Sequence, residues 1–248
     1  TCALPIYGLA AGKGVLICQT IIEGKKALEE IFVDNAFGSA GSKVVIEDFL
    51  EGEEASFIAV VSGEEIIPLA TSQDHKAAYD GDKGPNTGGM GAYSPAPIVT
   101  GELHKKIMDE VMSPTVKGLI AEGSPYLGFL YAGLMIKDDE INVLEFNCRF
   151  GDPETQPIMM RLESSLVELC LAAINNTLGS HKVRWSSNHA CGVVIASEGY
   201  PGNYETDKEV VINNHSEDDV KLFHAGTKIQ DNQLVTSGGR VFCATGTG

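Results

Sequence analysis

Residues 127–147, LGFLYAGLMIKDDEINVLEFN, place two β-favouring runs on either side of a pair of aspartates. Short carboxylate side chains tolerate turn backbone, so the stretch predicts a β-hairpin turning at Asp138–Asp139. Its second arm runs on as VLEFNCRFGDPETQP, residues 143–157. Alternation along a strand places Glu145, Asn147 and Arg149 on one face and Leu144, Phe146 and Cys148 on the other. A carboxylate and an amide oxygen two residues apart suit a hard cation such as Mg²⁺, which keeps waters and shares phosphate oxygens. The neighbouring guanidinium fits a carboxylate or phosphate in a bidentate fork. For Glu-x-Asn-x-Arg alone, a solvated strand face is an equal competitor. Asp152, Glu154 and Gln156 continue the polar row past a turn, and that favours a site.

The rest of the chain reads as mixed elements. VLICQ (15–19) is a strand leaving a glycine-rich loop, and EGKKALEEIFVDNAFG (23–38) carries a helical stripe of Ala27, Leu28, Ile31 and Phe32, closing at Gly38. KVVIEDFL (43–50) reads as a strand, and ASFIAVVSGEEIIPLAT (55–71) as a hairpin turning at Ser62–Gly63. SQDHKAAYDGDKGPNTGGMGAYSPAP (72–97) lacks periodicity and is expected to be a long functional loop. A helix over 101–122 is kinked by Pro114, and SSLVELCLAAINNTLG (164–179) is an amphipathic helix ended by Gly179. Around Trp185 the texture changes to short strands and turns, and a domain boundary is expected there.

Composition narrows the function. A net charge of −16 opposes nucleic-acid or anionic-membrane partners, which require a basic surface. The chain has no apolar run long enough for a membrane span and no basic leader, so a cytoplasmic protein is expected. Six cysteines (Cys2, Cys18, Cys148, Cys170, Cys191, Cys243) without a C-x-x-C pair read as scattered free thiols.

Three further constellations carry chemistry. DHK (74–76) and PNTGGMG (85–91) bracket the long loop, and Asn86-Thr87-Gly88-Gly89 offers backbone N–H groups to an anion. GLAAGKG (8–14) is one residue short of a Walker A spacing and lacks the Ser or Thr after the lysine, so alone it reads as a tight turn. Only seven residues precede it, and Leu4–Tyr7 hardly make the strand that such a loop normally follows. In VIEDFLEGEEASF (45–57), Glu47 and Phe49 share a face, and Glu51, Glu53 and Glu54 form either a solvated turn or a ribose holder.

In order, GLAAGKGV, FLEGEEASF, ATSQDHK, GPNTGGMGAYSPAP, GFLYAGLM and EFNCRFGDPETQPIM resemble the phosphoribosylamine–glycine ligases, ATP-grasp enzymes of purine biosynthesis. YPGNY, FHAGT and GGRV fit that family's C-terminal region, so the resemblance runs from Gly8 to about Arg240. It implies an α+β fold: a partial ATP-grasp lid over 1–48, a central mixed or antiparallel sheet with helices over 49–185, and a small, mostly β, incomplete C-terminal domain over 186–248. Pro5, Ile6 and Tyr7 stand where the family has Lys-Ala-Asp, so the first seven residues are expected to be foreign. The chain is expected to be a fragment lacking the N-terminal domain and the C-terminal end.

The resemblance also implies a reaction. ATP, glycine and 5-phosphoribosylamine would be the small-molecule partners, with ATP between lid and central sheet and Mg²⁺ or Mn²⁺ as metal. Gly12, Lys13 and Gly14 would cover the phosphates. The segment Glu47–Leu50, with Glu47, Phe49 and Leu50, would form the adenine hinge, and Glu54 or its neighbour would hold the ribose. Glu145 and Asn147 would hold the metal, and Arg149 would stabilise the acyl phosphate as the catalytic residue. Asp74, His75, Lys76, Asn86, Thr87, Gly88, Gly89, Asp152 and Glu154 are the substrate-binding candidates. The fragment itself is expected to be weak or inactive. Another ATP-grasp carboxylate–amine ligase, or a catalytically dead nucleotide-binding remnant, are the competing readings.

Overall fold

A computed structural model describes residues 1–7, 15–81, 83–213 and 219–248, divided into two compact units, Thr1–Glu51 and Gly52–Gly248.

In the first unit, strands β1 (Cys2–Pro5), β2 (Val15–Cys18) and β3 (Glu47–Asp48) form an antiparallel sheet in the order β2-β1-β3. The expectation that Leu4–Tyr7 hardly make a strand is therefore corrected. Four residues suffice because β1 is central, bonded on both edges, and buries Leu4 at its middle. Helix α1 (Ile21–Phe32) starts at Thr20, whose side chain accepts the Glu23 N–H over 3.2 Å. Its buried stripe is narrower than expected: Ala27 and Ile31 are buried, whereas Phe32 is 53% exposed. The chain leaves the helix through Asn35, at φ +54°, and not at Gly38. Of the predicted strand over 43–50, only Glu47–Asp48 and a bridge from Val44 to Ile6 pair.

The second unit is built on β4 (Glu53–Ser62), which pairs with β5 (Glu65–Pro68) and, along its whole length, with β8 (Leu127–Lys137). With β9 (Glu140–Asn147) they form a sheet in the order β5-β4-β8-β9. Apolar residues fill both faces of β4. Phe57, Ala59 and Val61 pack with Leu103 and Ile107 of α2 (Gly101–Ile107) and Val116 of α3 (Ser113–Ala121). Ile58 and Val60 pack with Ile158 of α4 (Thr155–Arg161) and Leu169 and Ala172 of α5 (Leu166–Ile174). Both predicted hairpins form, turning through Gly63 (φ +58°) and through Asp138 and Asp139 (φ +50° and +63°). The chain absorbs Pro114 by widening into a π turn over Met108–Met112 and restarting α3 with the proline in its first turn. Helix α5 stops at Ile174, with Asn176 at φ +55° doing what was expected of Gly179.

The long loop expected over 72–97 is largely a hairpin: β6 (Gln73–Tyr79) pairs antiparallel with β7 (Lys83–Ser94). Strand β7 continues into a sheet ordered β11-β14-β10-β7-β6, with β10 (Ala190–Ala196), β11 (Val220–His224) and β14 (Arg240–Thr247). A small hairpin, β12 (Thr227–Gln230) and β13 (Gln233–Thr236), completes the unit. The result is an α+β fold of antiparallel sheets with a mostly β C-terminal region. No helix of the described residues is long and apolar enough to cross a membrane.

Candidate functional site

The sheets of the second unit meet where Ser56 of β4 bridges Ser72 beside β6. That contact brings the DHK segment to the acidic start of β4. Lys76 Nζ lies 2.5 Å from Glu54 Oε2. Although β6 shifts register between His75 and Ala77, Asp74 lies close enough to Lys76 for each to act on the other's charge. The His75 ring packs elsewhere, 5.4 Å from that of Tyr93. The structure thus separates His75 from the two residues it was grouped with.

A buried network lies beneath this pair. Ser56 Oγ is 2.9 Å from Tyr131 OH and donates to Glu154 Oε1 over 3.1 Å; Ser56, Tyr131 and Glu154 are all buried. Burial pushes the Asp74 carboxyl up to about 7; Glu154 and Glu54 add to the push and Lys76 opposes it. Burial works against the Lys76 ammonium, yet Asp74, Glu54 and Glu145 outweigh it and hold its pKa above the ordinary lysine value. Burial, then Glu154 and Asp74, likewise raise the Tyr131 phenol. The cluster therefore holds a charged lysine beside an aspartic acid that can exchange a proton near neutrality.

The metal-ligand candidates follow on β9. Asn147 Nδ2 donates to Glu145 Oε1 over 3.0 Å, so amide and carboxylate do share a face. The alternation is not continuous, however. A bulge between Val143 and Glu145 takes Leu144 out of register, and β9 ends at Asn147. Arg149 therefore lies beyond the strand and donates to the Phe150 carbonyl over 2.8 Å, which corrects its placement in the strand file. The opposite face is not a buried apolar one: Phe146 is 41% exposed and Cys148 is exposed. Among the described residues no group of three or more His, Cys, Asp and Glu side chains is arranged to hold a metal. Two oxygen donors alone still fit a cation that keeps most of its waters and takes phosphate oxygens.

The glycine-rich stretch, a bulge within β7 where the ladder with β6 shifts register, is held by residues distant in sequence. Thr87 Oγ1 donates to the Lys76 carbonyl and accepts the Gly89 N–H, at 2.8 and 3.0 Å. The Gly88 N–H donates to Tyr200 OH, and Arg240 Nη1 donates to the Gly88 carbonyl. Two of the N–H groups expected to face an anion are thus already bonded within the protein. Asn86 is exposed next to them. Asp152 sits under Arg240 and accepts from Gln156 Nε2 at 3.3 Å. Tyr200 and Arg240 are absent from the sequence candidates because neither adjoins the bulge in sequence; the family-like segments YPGNY and GGRV that contain them are the signal that marks them. Glu47, Phe49 and Leu50 belong to the first unit, and Gly12, Lys13 and Gly14 lie outside the described residues.

Comparison with known proteins gives a consistent family. Residues 4–155 match the model of the phosphoribosylglycinamide synthetase ATP-grasp (A) domain, and residues 190–248 that of the phosphoribosylglycinamide synthetase C domain. The chain is 58% identical over 245 residues to the phosphoribosylamine–glycine ligase of Vibrio parahaemolyticus, covering 97% of this chain and 57% of that protein. Against that of Salmonella typhimurium the identity is 57% over 244 residues, with the same coverage. The chain thus spans little more than half the length of these curated relatives. The crystal structure of phosphoribosylamine–glycine ligase from Thermotoga maritima superposes with a TM-score of 0.89 at 35% identity, covering 100% of this chain and 61% of that one. Biotin carboxylase from Campylobacter jejuni shares the fold alone, at a TM-score of 0.72 and 11% identity over 100% of this chain and 53% of that one. With an ATP-grasp domain matched over most of its length and a C domain after it, the chain belongs to the phosphoribosylglycinamide synthetase family.

Proposed function

We propose that this chain serves an ATP-dependent ligation of glycine to 5-phosphoribosylamine, giving glycinamide ribonucleotide, ADP and phosphate. The observation that carries this reading is the Glu145–Asn147 pair, 3.0 Å apart, with Glu145 close enough to act on the charge of Lys76. An oxygen-donor pair thereby stands beside a cation and a proton-exchanging carboxyl. Glu145 and Asn147 would hold Mg²⁺ or Mn²⁺, which when bound neutralises phosphate charge as the γ-phosphoryl group transfers. The glycine carboxylate attacks the γ-phosphorus and ADP leaves, giving glycyl phosphate. The amine of phosphoribosylamine then attacks the acyl carbon, phosphate departs, and the amine gives up a proton.

In this reading Lys76 and Arg149 bind anionic oxygens of the acyl phosphate and the leaving phosphate. Asp74 and Glu154 hold the amine side, and Asn86 and Thr87 with Gly88–Gly89 shape the acceptor pocket. No protein nucleophile is needed, since positioning and electrostatics supply most of the rate in phosphoryl transfer. The 186–248 segment is read as the C-terminal domain of the same enzyme, and the protein as cytoplasmic.

The test is ADP release with Mg-ATP, glycine and phosphoribosylamine generated in situ, each omitted in turn, beside a Glu145→Gln variant. The expected result is release that is weak, as befits a chain spanning 57% of its relative's length, yet needs all three and vanishes in the variant. Release independent of glycine, or unaffected by Glu145→Gln, would sink the assignment.

A further inference from the structure

Both edges of the Gly88 peptide are gripped by residues more than a hundred positions away. Its N–H donates to Tyr200 OH over 3.1 Å, across 112 residues. Its carbonyl accepts from Arg240 Nη1 over 2.8 Å, across 152 residues. The same Nη1 lies 3.4 Å from the Gly89 carbonyl and 2.8 Å from that of Asp152, and Nη2 is 3.6 Å from the Asp152 carboxylate. One guanidinium therefore joins the Gly88–Gly89 bulge of β7 to the Asp152–Pro153 turn that precedes Glu154.

The two gripping residues are themselves interlocked. Gly239 packs so closely on the Tyr200 and Tyr204 rings that a Cβ there would run into them. Gly226 accepts the Ser237 N–H over 2.7 Å and donates to the Arg240 carbonyl over 2.8 Å. Arg240 and Tyr200 thus form one support, and neither belongs to the candidate set read from the sequence.

We infer that Tyr200 and Arg240 are positioning residues of the acceptor site, fixing the Gly88–Gly89 bulge of β7 and the Asp152–Pro153 turn in the geometry that receives the small substrates. The inference rests on the ligase reading above. A glycine pair is the most flexible backbone a chain can offer, and ordering it on substrate binding would weaken affinity. Ordering it at folding removes that cost. Nη1 reaches the Gly88 and Asp152 carbonyls while Nη2 faces the Asp152 carboxylate, all from one rigid plane; a lysine ammonium on its flexible stem keeps the charge without fixing that geometry.

Hydrogen exchange of the full chain tests this, read on segments 84–92 and 150–155, with 55–61 of β4 as control, with and without glycinamide ribonucleotide. Native protein, Tyr200→Phe and Arg240→Lys are compared; Tyr200→Phe removes a single oxygen and retains the packing. Each substitution is expected to speed exchange in 84–92 roughly tenfold, as for loss of one hydrogen bond, and to leave 55–61 unchanged. Arg240→Lys is expected to loosen 150–155 as well. Each should weaken the product-induced slowing at 84–92, moving its midpoint concentration up about tenfold. Unchanged exchange at 84–92 overturns the inference. Faster exchange with an unchanged product midpoint also does, since the two residues would then be mere supports. Product that slows 150–155 but not 84–92 in the native chain overturns the positioning role and leaves the ligase reading standing. Product that slows neither segment overturns both.

Discussion

Ser56 Oγ donates to Glu154 Oε1 over 3.1 Å, tying the interior of β4 to the residue that opens α4, 98 positions away. The bond fixes a carboxylate that is only 3% exposed close to a second acid, Asp74. After burial itself, Glu154 is the stronger of the two carboxylates that raise Asp74 to about 7. Glu154→Gln keeps an oxygen for the Ser56 hydroxyl and removes the charge. The Asp74 carboxyl should then titrate below its native midpoint, as followed by carboxyl-carbon NMR. An unchanged or higher midpoint would break the link between the two acids.

The Asp74 shift makes a second prediction, on stability. An ordinary aspartate titrates at 3.8, whereas folded Asp74 keeps its proton up to about 7. Between those values the folded state binds more protons than the unfolded one, so this group's contribution to stability falls as pH rises and levels off above the folded midpoint. Asp74→Asn removes that penalty. Its stability relative to the native chain should grow by about 2 kcal/mol between about pH 5 and about pH 8. Urea unfolding at both pH values measures it, and a constant difference would show that Asp74 ionises freely.

Much of the architecture was legible where local chemistry and burial agree. The β4–β5 and β8–β9 hairpins follow from β-favouring apolar runs on either side of Gly63 and of Asp138–Asp139. The β6–β7 hairpin was not legible, because it packs through close backbone approach in place of apolar side chains. A Cβ on Gly91 would stand 2.8 Å from the Gly192 carbonyl oxygen, and one on Gly89 would collide with Pro153. Such a strand carries no period-two signal. The file of Glu145, Asn147 and Arg149 held for its first two members and failed at the third, since a bulge and a strand end leave no trace in residue type. Arg240 was invisible for a simpler reason: its partners are set by a fold that brings together positions 88, 152 and 240.

A third prediction concerns Arg161, which is 8% exposed and spends its guanidinium on three acceptors. Nε donates to the Asn188 carbonyl at 2.7 Å, Nη1 to Ser94 Oγ at 2.9 Å and Nη2 to the Ser186 carbonyl at 3.1 Å. These bonds pin the 186–188 segment and the end of β7 to α4. Arg161→Met should cost about 3 kcal/mol, because oxygens selected for a charged donor lose it inside the protein. Arg161→Lys should recover only part of that, since an ammonium cannot reach three acceptors spread around a fork. Urea midpoints at equal slope measure both, and a loss below about 1 kcal/mol for Arg161→Met would mean that water replaces the donor freely.

The last prediction sets two glycines against each other. Gly118 lies inside α3 with open space where a Cβ would go. Gly118→Ala should stabilise the chain by about 0.5–1 kcal/mol, because alanine loses less backbone freedom in a helix. Gly89 sits at φ +113°, outside the range that L side chains favour, and a Cβ there would run into the Pro153 ring. Gly89→Ala should therefore destabilise by roughly 2–4 kcal/mol, the sum of backbone strain and a clash with a ring that cannot turn aside. It should also displace the Asp152–Pro153 turn, and with it the Asp152 carbonyl that Arg240 holds. Thermal melting of the two variants gives opposite signs if the β6–β7 hairpin is built by close backbone approach. A near-zero change for Gly89→Ala would mean that the turn is free to move, and β7 would then need another source of order.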